Sequence, residues 1–145
     1  MEIGSIGSSG HTARNFFSRL EEFKATSLID TRIHPNSQLA GFATRNSLEF
    51  FCEEISHSKY VYEGLLSPTP ELLKAYRKEE ITWEIYVDRY SELLSSRDLP
   101  ANLNTESWGN FPVLLCSENK ADFCHRRIAI NVLKEFLPIT KVTHL

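Results

Sequence analysis

Between Phe111 and Ile130 the sequence FPVLLCSENKADFCHRRIAI gathers Cys116, Glu118, Cys124, His125, Arg126 and Arg127 into one short stretch. Cys116 closes the apolar run Pro112–Leu115, which reads as a buried strand, and a helical apolar period begins at Ile128. The order is strand, loop, helix. In open α/β sheets ligands bind beyond the carboxyl ends of the strands, where helix N-termini offer unpaired N–H groups. A cysteine at such a place can serve as a nucleophile, because arginines and backbone N–H groups stabilise its thiolate. Cys124, at a helix start, would feel the positive helix end in the same way. Glu118, Asp30 or His125 can move a proton, and Arg126 or Arg127 can grip phosphate or carboxylate through its planar fork. Each group also has a structural reading. Cys116 can simply be a small buried residue finishing a strand, and Glu118 can pair with Arg126. No metal site is expected, since structural zinc takes four ligands at paired spacings and Cys-x7-Cys-His is not such a spacing. A Cys116–Cys124 disulfide stays open, because spacing alone does not set the Cα separation.

The elements that must position these groups follow from periodicity. Glu2–Ile6 reads as a first strand closing in the small-residue turn Gly7-Ser8-Ser9-Gly10, where Ser8 and Ser9 can approach a ligand. Thr12 is a plausible cap for a helix with Phe16, Leu20 and Phe23 on one face, Phe17 widening it. Ser27–Ile29 is a second strand ending in Asp30-Thr31-Arg32, so Asp30 and Arg32 stand at the crevice as a ligand site or as an ion pair. The His34-Pro35-Asn36-Ser37 turn follows. Asn46 can cap a helix burying Leu48, Phe51, Cys52 and Ile55. Lys59–Tyr62 is a third strand, and Thr69-Pro70 starts a helical insertion of two helices, Pro70 to Lys78 and Trp83 to Ser95. Residues 96–110 read as a polar loop. After the Cys116 strand a helix from about Phe123 to Phe136 leads to a terminal strand at Lys141–Leu145. This alternation predicts an α/β domain with a mainly parallel five-stranded sheet, helices on both faces and the insertion between strands 3 and 4. Strand order 3-2-1-4-5 would set Gly7–Gly10 beside Cys116, with Asp30 and Arg32 next to them.

Composition bounds the partners. The 145 residues fit one domain that buries about two-thirds of its unfolded surface. A net charge of -3 argues against binding nucleic acid or acidic membranes through overall charge, although a local basic patch leaves nucleic acid possible. No apolar run approaches membrane-spanning length, the N-terminus lacks a signal-peptide pattern, and the odd count of three cysteines suits a reducing compartment. A cytoplasmic location is expected, and no cofactor.

Ile6-Gly7-Ser8-Ser9, Leu28-Ile29-Asp30-Thr31-Arg32, Pro35-Asn36-Ser37, Leu114-Leu115-Cys116-Ser117-Glu118, Cys124-His125-Arg126 and Val142-Thr143-His144-Leu145 together resemble the domain of unknown function DUF488 family nearly end to end. The resemblance implies a Rossmann-like α/β domain with these motifs at one end of the sheet and brings no established reaction, though some relatives look connected with nucleotide or nucleic-acid metabolism. Where that family usually has Gly-His-Ser this chain has Ser8, with His11 as a partial substitute in space. A cysteine-first phosphatase loop is not expected, because Ser117-Glu118-Asn119-Lys120 has no glycine and carries an acid. The resulting expectation is an enzyme acting on an anionic small molecule, nucleotide or modified nucleobase. Its catalytic candidates are Cys116, Glu118, Cys124 and His125, and its binding candidates Ser8, Ser9, Asp30, Arg32, Ser37 and Arg126. The alternative is a non-catalytic module that binds a nucleotide, nucleic acid or protein in the same crevice.

Overall fold

Short apolar runs separated by helices can pair only in parallel, since each return to the sheet must cross over one face. The computed structural model, which describes residues 1–118 and 124–145, has this form. Its strands are β1 (Glu2–Gly7), β2 (Ser27–Asp30), β3 (Lys59–Tyr62), β4 (Pro112–Cys116) and β5 (Lys141–His144). Its helices are α1 (Ala13–Phe23), α2 (Arg45–Phe51), α3 (Pro70–Arg77), α4 (Trp83–Ser96), α5 (Leu99–Asn102) and α6 (His125–Leu133). The sheet runs β3-β2-β4-β1-β5, and every pairing is parallel. This is a Rossmann-like α/β architecture.

The order differs from the expected 3-2-1-4-5, because β4 lies between β2 and β1. Burial explains the exchange. All five residues of β4 are buried, the pattern of a strand covered on both faces, whereas β1 begins at the half-exposed Glu2. The neighbourhood that matters survives, with Gly7 level with Cys116 and Asp30 level with Leu115.

Alternate strand residues feed two cores. Ile3, Ile29 and Leu114 pack with Tyr86, Tyr90 and Leu94 of α4 and with Ile128 and Leu133 of α6. Ile6, Leu28, Val113 and Leu115 pack on the other face with Phe16, Phe17 and Leu20 of α1 and Leu48 of α2. The caps of α1 and α3 are as expected: Thr12 accepts from the Asn15 amide at 3.1 Å, and Thr69 accepts from the Leu72 amide at 3.2 Å with Pro70 in the first turn.

Two local expectations need correction. Thr44, not Asn46, precedes α2, and the chain continues as a wider π-type turn over Cys52–Ser56. That wider turn slips the phase of the apolar stripe, so Cys52 is fully buried while Ile55 is 38% exposed. The stretch 96–110 is also more than a polar loop. It contains α5 and a 3-10 turn over Thr105–Trp108, and it buries Leu99, Leu103 and Trp108, whose spacing matches no single period. It ends at Gly109, whose φ of 74° is in the glycine region and whose missing side chain admits Thr26, the residue bonding both the Trp108 carbonyl and the Phe111 amide. The expected start of the last helix, Phe123, lies outside the described residues; α6 runs His125–Leu133 and stops short of Phe136.

Candidate thiol cluster and basic cleft

β4 delivers Cys116 to the carboxyl end of the sheet, and Cys124 occupies the cap position of α6, so both thiols arrive at one point. Their sulfurs are 2.7 Å apart. Glu118 Oε2 is 3.5 Å from Cys124 Sγ, and the carboxylate and the two sulfurs all lie within 4.8 Å of one another. Arg126 turns back toward the end of β4, its Nη1 donating to Cys116 Sγ at 3.3 Å and to the Glu118 carbonyl at 2.9 Å. Cys116, Cys124 and Arg126 are at most 1% exposed and His125 is 5% exposed, so the helix start faces the interior.

His125 is held from the β2 side. Thr31 donates its only hydroxyl proton to the Leu115 carbonyl at 2.9 Å, and the same oxygen lies 2.9 Å from His125 Nε2. The hydroxyl must therefore accept there, which places the ring proton on Nε2. His125 Nδ1 is buried and has no hydrogen-bond partner among the described residues. The Tyr86 hydroxyl on α4 is likewise buried and unpartnered.

The thiols do not titrate alike. A hydrogen bond from Cys116 and the neighbouring His125 ring outweigh burial and draw the Cys124 thiol down to about 6. Burial and the adjacent Cys124 hold Cys116 well above the ordinary thiol range, with Arg126 opposing. Cys124 is thus the sulfur that ionises first. Burial would raise the Glu118 carboxyl, but His125 and the Arg77 bond together pull it below its usual range.

Beside this cluster, at the same edge of the sheet, is a cleft of about 510 Å³. Ser8, Ser9, Ser37 and Ser117 give it hydroxyls, and Arg32, His34, Lys74 and Arg77 give it basic groups; no acid lines it among the described residues. Ser9 donates to the Ser117 carbonyl at 2.6 Å, and the Ser8 amide donates to the Cys116 carbonyl at 2.8 Å, which ties the first turn to the end of β4. The cleft and the cluster meet at Ser117 and at Arg77, which bonds Glu118 Oε1 at 3.1 Å.

The expected site residues therefore fall into three groups. Ser8, Ser9, Arg32 and Ser37 line the cleft. Cys116, Glu118, Cys124, His125 and Arg126 form the buried cluster. Asp30 lines neither: it is fully buried, accepting from Arg32 Nε at 2.8 Å, Arg32 Nη2 at 2.6 Å and the Tyr60 hydroxyl at 2.6 Å, so much of the Arg32 charge is spent inside the protein. Glu118 pairs through its side chain with Arg77, while Arg126 takes the Glu118 backbone carbonyl. His11 bonds Asn15 at 2.7 Å and does not line the cleft. Asn119 and Lys120, which complete the loop read from sequence, lie outside the described residues.

Sequence reasoning missed Lys74, Arg77, Thr31 and Tyr86. A signal existed for two of them, since Pro70, Leu73, Lys74 and Arg77 recur at i, i+3, i+4 and i+7 and all line the cleft from one face of α3. Thr31 and Tyr86 had none.

Fold and site together define a doubly wound α/β protein with a basic cleft and a buried thiol–carboxylate cluster at the carboxyl edge of its sheet. The chain belongs to the family described as domain of unknown function DUF488, whose family model matches residues 12–133. Searches of the curated proteins and of the solved structures found no match. No helix among the described residues is long and apolar enough to cross a membrane.

Proposed function

We propose that this protein is an enzyme acting on an anionic small molecule, with a nucleotide the best-fitting class, held in the cleft beside the thiol cluster. One observation carries the reading: the cleft combines four basic side chains and four serines with no acidic lining residue among those described, although the chain as a whole is net acidic. A cleft of about 510 Å³ falls within the usual size of small-ligand sites, roughly 300–1,000 Å³. Lys74 and Arg77 supply charge to a phosphate, and the serines supply hydroxyl partners. The cluster of Cys116, Glu118, Cys124 and His125 supplies the reacting group, since its connection to the cleft runs through Ser117 and the Arg77–Glu118 pair.

Calorimetric titration with pyrophosphate and with nucleoside 5′-monophosphates tests the binding half. Saturable binding is expected, lost in the double variant His34→Ala, Lys74→Glu, neither of which touches the thiol cluster. Equal binding by that variant, or none by the native protein, would refute the assignment. The burial of both sulfurs favours a second reading, a binding module without turnover. Its mark is saturable ligand binding with no product after prolonged incubation.

A further inference from the structure

The geometry points to a divalent metal site of zinc type built from Cys116 Sγ, Cys124 Sγ and the Glu118 carboxylate, with one coordination position left open. The Cys-x7-Cys-His spacing spoke against a metal only because it omitted Glu118, which the fold adds at the required place. The three donor groups close within 4.8 Å, and two thiolates and a carboxylate form a set that a borderline-soft divalent cation accepts. Next to Cys124 in the chain, His125 Nδ1 is buried and has no hydrogen-bond partner among the described residues. A buried polar atom without a partner calls for a reason, and His125 Nδ1 and the Tyr86 hydroxyl, both buried and without a partner among the described residues, can bond a water in the open position of the ion. Charge balances as well: three anionic ligands exceed a divalent ion by one negative charge, and Arg126 stands 3.3 Å from Cys116 Sγ to offset it.

Loading the site releases both thiol protons to solvent and requires no redox partner. The sulfurs, 2.7 Å apart in this structure, separate to about 3.8 Å, the spacing set by two bonds of about 2.3 Å at the tetrahedral angle. The ion would then supply Lewis acidity to the cluster. This inference concerns the reactive end of the proposed site and does not depend on the anion in the cleft.

Full-length reduced protein, stripped with a chelator, is titrated with Co²⁺ alone. One Co²⁺ per chain is expected, with sulfur-to-cobalt charge-transfer absorption that Zn²⁺ abolishes. Cys124→Ser should remove that absorption, and Glu118→Gln should weaken binding at least tenfold. Circular dichroism verifies folding, and if Cys124→Ser fails to fold, the Glu118→Gln titration decides. His34→Ala should leave Co²⁺ binding intact, which separates this result from the anion assignment. Absence of stoichiometric Co²⁺ in protein with all three thiols titratable would overturn the site. So would unchanged affinity in the folded variants, or thiol titration finding a single free cysteine because Cys116 and Cys124 have formed a disulfide.

Discussion

Removing Asp30 tests whether the Arg32 charge belongs to the fold or to the cleft. Asp30 is fully buried and Arg32 is 3% exposed. Burial works against the guanidinium charge, but the Asp30 hydrogen bonds outweigh it and raise the Arg32 pKa above its ordinary value. In Asp30→Ala the guanidinium therefore cannot escape by deprotonating, and it stays charged inside without its partner. Breaking a buried pair from one side costs about 3–5 kcal/mol. The Tyr60 phenol loses its acceptor in the same variant, which adds about 1 kcal/mol. These terms share one carboxylate and overlap, so about 4 kcal/mol is expected in total. With a urea slope of about 2 kcal/mol/M, the midpoint should fall by about 2 M in equilibrium unfolding followed by circular dichroism. The double variant Asp30→Leu, Arg32→Met should recover most of that loss, because it removes the stranded charge along with its partner. A fall of less than about 0.5 M for Asp30→Ala would refute the reasoning. It would mean that Arg32 reaches solvent through the cleft and is available to a ligand.

Three further outcomes follow from particular residues. Gly109→Ala forces a φ of 74° on alanine and puts its Cβ 2.7 Å from Thr26 Cβ, so a loss of about 2 kcal/mol, or about 4–8 °C in Tm, is expected by calorimetry. No measurable fall would show that the turn before β4 adapts. Burial lifts the Cys52 thiol to about 11, so iodoacetamide at about pH 8 should leave Cys52 unmodified in the folded protein and alkylate it in guanidinium, as read by peptide mass spectrometry. Labelling of Cys52 in the native state would contradict its place in the α1/α2 core. Burial raises the Glu63 carboxyl and the Leu65 amide only partly opposes it, so protonation favours the fold. Its contribution is full below the unfolded pKa of about 4.3 and is lost as pH rises through the higher folded value. Glu63→Gln, which keeps an acceptor for Leu65, should remove that fall: Tm rises relative to the native protein near pH 7 and not near pH 4, and an equal difference at both pH values would refute it.

Local rules carried much of the fold. Thr12 and Thr69 cap their helices because a hydroxyl and an amide three residues on need only the turn between them. Parallel pairing followed from strands separated by helices, and the apolar run Pro112–Leu115 announced a strand buried on both faces. The order of strands did not follow, because which of two buried strands takes the centre depends on how much each hides when all five are assembled. The Cys52–Ser56 turn slipped the apolar phase for a related reason, since packing on α1 and the sheet overrode the helical period.

For the site, the sequence by itself determined which chemical groups exist and that Cys116 and Cys124 flank one loop between a strand and a helix. Tertiary structure decided what each group does. Thr31 sets the His125 tautomer across 94 residues, and Arg77 reaches Glu118 across 41. Neither contact has a local signature, because both arise where separate crossovers end at the same edge of the sheet. That edge also divided the cations, leaving Lys74 and Arg77 beside the cleft while turning Arg126 inward and binding Arg32 to Asp30. A charge in a sequence has no direction until the packing around it determines whether water, a ligand or a buried carboxylate is its neighbour.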